Sequence, residues 1–323
     1  MILSIDPTKF HCFNRLVNIR LKRSQENPIL IPTDLPWENM LVFNPGAVVN
    51  NGKIYLIYRA MGTSNPVSKL GLATSDDGIH FERQKNPIYY GGKHDTEKLG
   101  IEDARIVKIE DTFYIVYTAV SQRKHGQINP KWIEQIDKKP QIALSTTKDF
   151  VRYLDYDVII PGVEGKDASL FPKKTNGEYW LLYRVNSDIT YFANSPRLDY
   201  WPETYSVFDK RPGFWDCARA GVGAPPIETE KGWLLFYHGV DQSNVYRIGV
   251  MFLDLKDPRK IIYRSKEPVF EPETDYEKFG FTSNAVFTCG AIEKDEKYYI
   301  YYGASDQVVG LATIDKNQVM NIF

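Results

Sequence analysis

The chain has 323 residues with 40 Lys and Arg against 41 Asp and Glu, a formal net charge of −1. Apolar residues make up 43% and charged ones 25%, an ordinary balance for a globular protein long enough to bury a large core. That balance argues against nucleic acid or anionic membrane as a whole-surface partner, and no run approaches the roughly 20 apolar residues of a membrane span.

The N-terminus, MILSIDPTKFHCFNRL, lacks the charged and then apolar regions of a secretory signal, and the three cysteines, Cys12, Cys217 and Cys289, form no paired framework. Both features point to a reduced, cytoplasmic setting. The five histidines stand at no ligand spacing with one another or with a cysteine, so no metal is expected.

Aromatic residues reach 14%, led by 21 Tyr, and they fall in a repeated phrase. In chain order, a polar turn precedes an aromatic-aliphatic strand at Gly52–Arg59, Thr112–Thr118, Gly177–Arg184, Gly232–His238 and Lys297–Gly303. Each is preceded by an apolar strand (Gly46–Val49, Ala104–Ile109, Ala168–Phe171, Gly223–Ile227, Ala285–Ile292) and followed by another (Leu70–Ser75, Gln141–Ser145, Thr190–Asn194, Arg247–Leu253, Val309–Thr313). A polar turn and an outer strand complete the unit. Five units of four strands predict an all-β, five-bladed β-propeller, one domain over residues 1–323. The fifth unit stops near Ile314, so a strand near 19–31 is expected to supply its outer edge and close the ring. Segment 122–140, rich in Lys and Gln, reads as an insertion in the second blade, and a short helix is expected around 275–279.

Inner strands of a propeller face a central channel, and loops at one mouth form a pocket. Residues just before an inner strand or just after an aromatic one therefore converge: Asn44, Arg59, Glu102, Asp103, Arg105, Lys166, Asp167, Arg184, His238, Asp241 and Asp306. An acid opening an inner strand is partly desolvated, which favours the protonated form a proton donor needs. Strand alternation places Asp103 and Arg105 on one side and Glu102 on the other. Lys166, Arg184 and His238 hold comparable places in blades three and four and read as a cationic cluster for a compact anion such as phosphate. Asp306, Asn44 and Arg59 suit a polar ligand, though a turn cap or an inter-blade tie would use the same residue types. No phosphate-binding Gly-rich loop, nucleophile elbow or HExxH motif is present.

Taken in order, Phe43-Asn-Pro-Gly-Ala47, Tyr58-Arg59, Gly100-Ile-Glu-Asp-Ala-Arg105, Lys166-Asp-Ala-Ser-Leu-Phe-Pro172, Tyr183-Arg184, Gly221-Val-Gly-Ala-Pro-Pro226, Tyr237-His-Gly-Val240 and Tyr301-Tyr-Gly-Ala-Ser-Asp306 resemble glycoside hydrolase family 130, the β-mannoside phosphorylases. The resemblance implies a five-bladed propeller and an inverting phosphorylase that cleaves a β-mannoside with inorganic phosphate, giving α-mannose 1-phosphate. It implies Asp103 as catalytic acid, protonating the glycosidic oxygen through a mannose hydroxyl. It implies Lys166, Arg184 and His238 as phosphate ligands and Asn44, Arg59, Arg105 and Asp306 around the sugar. Ala104 departs from the proline usual after the acid, and Lys166 from the usual arginine.

An inverting glycosidase needs an acid and a base for water, whereas a phosphorylase needs one acid and a cation cluster. The residues offer the second set, with phosphate as co-substrate, a small oligosaccharide as partner and no cofactor. Rival readings are a β-mannosidase of the same family, with Asp167, Asp241 or Glu164 as base, and a non-catalytic carbohydrate-binding propeller. Linkage, leaving sugar and homo-oligomer formation stay open.

Overall fold

The computed structural model describes residues 19–89, 91–122, 138–185 and 188–322. Most of the insertion expected over 122–140 lies outside these residues. Among the described residues, twenty-one strands form five antiparallel sheets. Blade one comprises β2 (Leu41–Asn50), β3 (Lys53–Met61), β4 (Lys69–Ser75) and β5 (Glu82–Arg83). Blade two comprises β6 (Ile101–Ile109), β7 (Thr112–Gln122), β8 (Lys138–Thr147) and β9 (Tyr153–Val158). Blade three comprises β10 (Gly165–Leu170), β11 (Tyr179–Val185), β12 (Thr190–Ser195) and β13 (Glu203–Phe208). In blade four the inner edge is split into β14 (Arg219–Val222) and β15 (Ile227–Thr229), followed by β16 (Gly232–Val240), β17 (Tyr246–Leu253) and β18 (Ile261–Arg264). The sequence placed a strand at Gly223–Ile227, where the edge is broken. Pro225 and Pro226 cannot donate to a ladder, and the strand breaks there.

Blade five comprises β19 (Val286–Lys294), β20 (Lys297–Ala304) and β21 (Val308–Asp315), and its outer edge is β1 (Lys22–Arg23) from the start of the chain. Lys22 pairs with Thr313 and Arg23 with Ala312, antiparallel, and Leu30 bridges Val309 further along. The ring is thus closed by hydrogen bonds between its two ends. The described residues also include two short α-helices, α1 (Asp275–Lys278), at the place the sequence indicated, and α2 (Lys316–Met320).

Five apolar clusters lie one between each pair of neighbouring blades, and strand alternation sorts residues among them. Along β16, Leu234 and Phe236 pack toward blade five while Trp233, Leu235 and Tyr237 pack toward blade three. Along β20, Tyr298, Ile300 and Tyr302 face blade four and Tyr301 faces blade one. Both faces of each second strand are therefore buried, which explains why these strands read as continuous aromatic-aliphatic runs.

A polar tie recurs beside these clusters. A tyrosine of the second strand donates to a buried carboxylate ahead of its blade: Tyr58 to Glu38 (2.6 Å), Tyr117 to Glu97 (2.6 Å), Tyr237 to Asp216 (3.0 Å) and Tyr302 to Glu277 (2.8 Å). In three blades an arginine of the outer strand joins the same carboxylate: Arg83, Arg264 and Arg23. The tyrosine rings need room on the third strand. A Cβ at Gly71, Gly249 or Gly310 would lie 2.3–2.5 Å from the ring of Tyr58, Tyr237 or Tyr302.

Candidate active site

The inner strands meet around the axis, and one irregularity recurs on them. Between Phe43 and Gly46, Glu102 and Arg105, and Lys166 and Ser169, three steps on the inner strand oppose two on its partner. Each is a β-bulge. The residues that follow Phe43, Glu102 and Lys166 are Asn44, Asp103 and Asp167, with φ of 48°, 54° and 53°. Asn and Asp tolerate this left-handed region better than other residues with a Cβ.

The bulge corrects the alternation expected from sequence. Glu102 and Asp103 both face the cavity, and Arg105 does not. Arg105 is 1% exposed. Its guanidinium donates to the Asp103 carbonyl (2.8 Å), the Val222 and Gly223 carbonyls (3.0 and 3.1 Å) and Asp167 Oδ1 (3.3 Å). It therefore ties blade two to blade four from beneath the site.

The cavity has a volume of about 430 Å³ and is lined by Asn44, Arg59, Asp103, Lys166, Arg184, His238 and Asp306 from the expected set. Among residues the sequence reading did not single out, it is also lined by Arg219, Asp188, Tyr246, Thr282 and Phe287. Arg219 opens β14 two residues before Gly221, the partner of His238, and that position was the available signal. Asp241 is absent from the cavity. It caps its turn through Ser243 N (2.9 Å) and Val245 N (3.1 Å) and pairs with Arg247 (2.8 Å).

The lining divides by charge into two regions. In the first, Asp103 Oδ1 accepts from Asn44 Nδ2 (2.9 Å) and from Arg59 (3.4 Å). Its Oδ2 takes no hydrogen bond from a described residue. Arg59 also donates to Glu102 Oε1 (2.8 Å) and stacks over Phe43 at 4.7 Å. Burial pushes the Glu102 carboxyl upward, but Arg59 and Lys166 prevail and bring it down to about 2. Asp306 accepts from Thr282 (2.6 Å), yet burial, reinforced by nearby Asp103 and Glu102, raises its pKa.

In the second region, Arg184 donates to Asp167 Oδ2 (2.7 Å) and Asp188 Oδ1 (3.0 Å), and Arg219 to the Tyr246 hydroxyl (2.7 Å). Lys166 Nζ lies 3.3 Å from Glu102 and links the two regions. Asp167 is driven well below the usual carboxylate range, because Arg184, His238 and Arg105 outweigh its burial.

His238 does not behave as the cation expected from sequence. It sits 3.6 Å from Asp167, which as a bare distance suggests an ion pair. Complete burial dominates, and Arg184, Arg105 and Arg219 add repulsion, so its pKa is held down to about 3. Asp167 is already claimed by two guanidiniums, so neutral imidazole is the state the surroundings favour. Nδ1 has no hydrogen-bond partner among the described residues, and the ring packs on Phe287 at 4.7 Å. Gly221 permits the arrangement, since a Cβ there would lie 2.6 Å from the His238 ring and 2.9 Å from Asp167. Among the described residues no group of three or more His, Cys, Asp or Glu side chains could hold a metal ion. Nor is any helix long and apolar enough to cross a membrane.

Comparison with known proteins agrees with this geometry. A family model described as beta-1,4-mannooligosaccharide phosphorylase matches residues 9–323. A 1,2-beta-oligomannan phosphorylase of Thermoanaerobacter sp. (strain X514) is 39% identical over 308 residues, covering 93% of this chain and 99% of that one. A beta-1,4-mannooligosaccharide phosphorylase of Ruminococcus albus is 29% identical over 315 residues, covering 91% and 88%. Among solved structures, the beta-1,2-mannobiose phosphorylase of Listeria innocua in complex with beta-1,2-mannobiose superposes with a TM-score of 0.83 at 28% identity, covering 94% of this chain and 99% of that one. The match along almost the whole chain, on a five-bladed propeller whose axis carries the acid and basic side chains described above, shows that this protein belongs to glycoside hydrolase family 130.

Proposed function

We propose that this protein is an inverting phosphorylase of β-mannosides, with oligosaccharides joined by β-1,2 linkages as its substrate class. The observation that carries the reading is the division of one cavity. A carboxylate with an open oxygen, Asp103, shares it with Arg184, Lys166, Arg219 and neutral His238. The relatives support this linkage: the 1,2-beta-oligomannan phosphorylase is 39% identical, the beta-1,4-mannooligosaccharide phosphorylase 29%.

In this reading the mannose ring lies over Asn44, Arg59 and Asp306. Asn44 and Arg59 hold Asp103 Oδ1, which leaves Oδ2 to deliver a proton, through a ring hydroxyl, to the departing oxygen. Phosphate on Arg184, Lys166 and Arg219 attacks the anomeric carbon from the opposite face, giving α-mannose 1-phosphate. His238, uncharged, serves phosphate as a hydrogen-bond partner and not as a point charge. Positively charged donors already in place stabilise the attacking anion without reorganising at the moment of reaction. The chemistry calls for no metal or organic cofactor, and full activity in excess chelator is expected. Phosphorolysis retains the bond energy in a charged sugar, which suits a cytoplasmic enzyme.

A hydrolase needs a second carboxylate poised on water. Asp167 is bound on both oxygens by guanidiniums, and Asp241 lies outside the cavity. The test is product analysis on β-1,2-mannobiose with and without phosphate. Phosphate-dependent α-mannose 1-phosphate supports the reading. Free mannose released equally fast without phosphate overturns it and points to Asp188 as the base.

A further inference from the structure

Asp188 is a carboxylate set among cations. Its Oδ1 accepts from Arg184 (3.0 Å) and lies 3.6 Å from Arg219 Nε, and its Oδ2 lies 3.8 Å from Lys210 Nζ. It lines the same cavity as Lys166 and His238, with its side chain 22% exposed. Asp188 N donates to the Val185 carbonyl (3.0 Å), Val185 N to that of Ile189 (3.2 Å), and Asp188 holds φ of 67° two residues before β12. Asp167 differs in kind. Its oxygens are taken by Arg105 and Arg184, and its side chain is 4% exposed.

A fixed carboxylate facing an anion site repels an anion with no proton and accepts a hydrogen bond from one that has a proton. Inorganic phosphate carries at least one proton across the neutral range; sulfate, of the same size and shape, carries none. We propose that Asp188 is the specificity-determining residue by which this pocket admits phosphate and rejects sulfate. The phosphate P–OH donates to Asp188 Oδ2, a short charge-assisted bond, while unprotonated oxygens face Arg184, Lys166 and Arg219. The proton is thereby held away from the sugar, and an unprotonated oxygen is presented for attack. This inference rests on the phosphorolysis reading.

The experiment measures KM for phosphate and the inhibition constant of sulfate, competitive with phosphate, in wild type, Asp188→Asn and Asp188→Glu. An Asn amide can donate to sulfate, so the ratio of sulfate inhibition constant to phosphate KM is expected to fall at least about tenfold, equivalent to ~1.4 kcal/mol of lost discrimination. Asp188→Glu is expected to recover most of the ratio. If Asp188→Asn turns over too slowly, thermal-shift titrations of the folded variant with phosphate and with sulfate report the same ratio. A ratio within about twofold of wild type in Asp188→Asn overturns the role of Asp188 while leaving phosphorolysis intact. Wild-type protein that neither consumes nor binds phosphate overturns both.

Discussion

Replacing Arg184 by alanine tests the assignment of the anion region most directly. Arg184 Nε is committed to Asp167 and one terminal nitrogen to Asp188, so the guanidinium is held in place by two carboxylates on the cavity wall. A hydrogen bond to a charged partner contributes about 1.5–3 kcal/mol. Losing one such contact to phosphate raises KM for phosphate by roughly 10- to 150-fold. Arg184 is also the largest repulsive charge acting on His238, so its removal raises the pKa of that imidazole while the burial that dominates it stays. The proposed sugar region, built on Asn44, Arg59 and Asp306, does not contact Arg184, so KM for β-1,2-mannobiose should change by less than about threefold. Initial rates over a grid of phosphate and sugar concentrations separate the two constants. Equal increases in both, or a kcat loss with both constants unchanged, would refute the placement of phosphate on blade three.

Asp103→Asn is expected to lower turnover by about 10²- to 10⁴-fold, the usual scale for a lost general acid, with the melting temperature little changed; activity within tenfold of wild type would remove Asp103 from the reaction. His238 is held near 3 when folded against 6.5 in the unfolded chain, so the unfolded state binds the extra proton between these values. Its contribution is complete above about pH 6.5 and declines as pH falls toward 3. Between pH 7 and 5 the wild type should therefore lose stability that His238→Gln does not, and parallel melting curves for the two would count against it. Arg23→Ala removes a two-pronged contact to fully buried Glu277 (2.9 and 2.8 Å) at the strand that closes the ring. Breaking a buried ion pair costs about 3–5 kcal/mol, and Glu277 keeps Tyr302 and two backbone donors, so the low end of that range is expected in denaturant unfolding.

The repeat was legible in sequence because propeller strands of the second rank are buried on both faces. Runs such as Trp233-Leu-Leu-Phe-Tyr237 stand out without reference to any partner. The ring closure was legible as a missing edge, and β1 supplies it from within the segment anticipated. What the sequence hid depends on single backbone steps and on environment. Period-two alternation fails at a bulge, so Glu102 and Asp103 share a face and Arg105 leaves it. The charge state of His238 depends on burial and on three guanidiniums, one of them Arg219, that sequence spacing does not bring near it. Asp188 was not singled out in sequence because its cationic neighbours come from β11, β14 and the loop containing Lys210.

The bulges also bear on why these residue types stand where they do. Asn44, Asp103 and Asp167 occupy the same register position in three successive blades, each at positive φ. At that position a β-branched or bulky residue is strained by about 1–3 kcal/mol, while Asn and Asp are tolerated. The blade therefore offers a small menu, a carboxamide or a carboxylate, aimed at the axis, and neighbouring charges decide what each does. Beside Arg105 and Arg184, Asp167 is locked as an anion; beside Asn44 and one edge of Arg59, Asp103 keeps an oxygen open. Because Asn satisfies the same backbone demand, Asp103→Asn removes the proposed proton donor and leaves the bulge. A leucine at 103 would disturb both. Comparing the two variants separates chemistry from conformation: loss of activity without loss of stability in the first, and loss of both in the second.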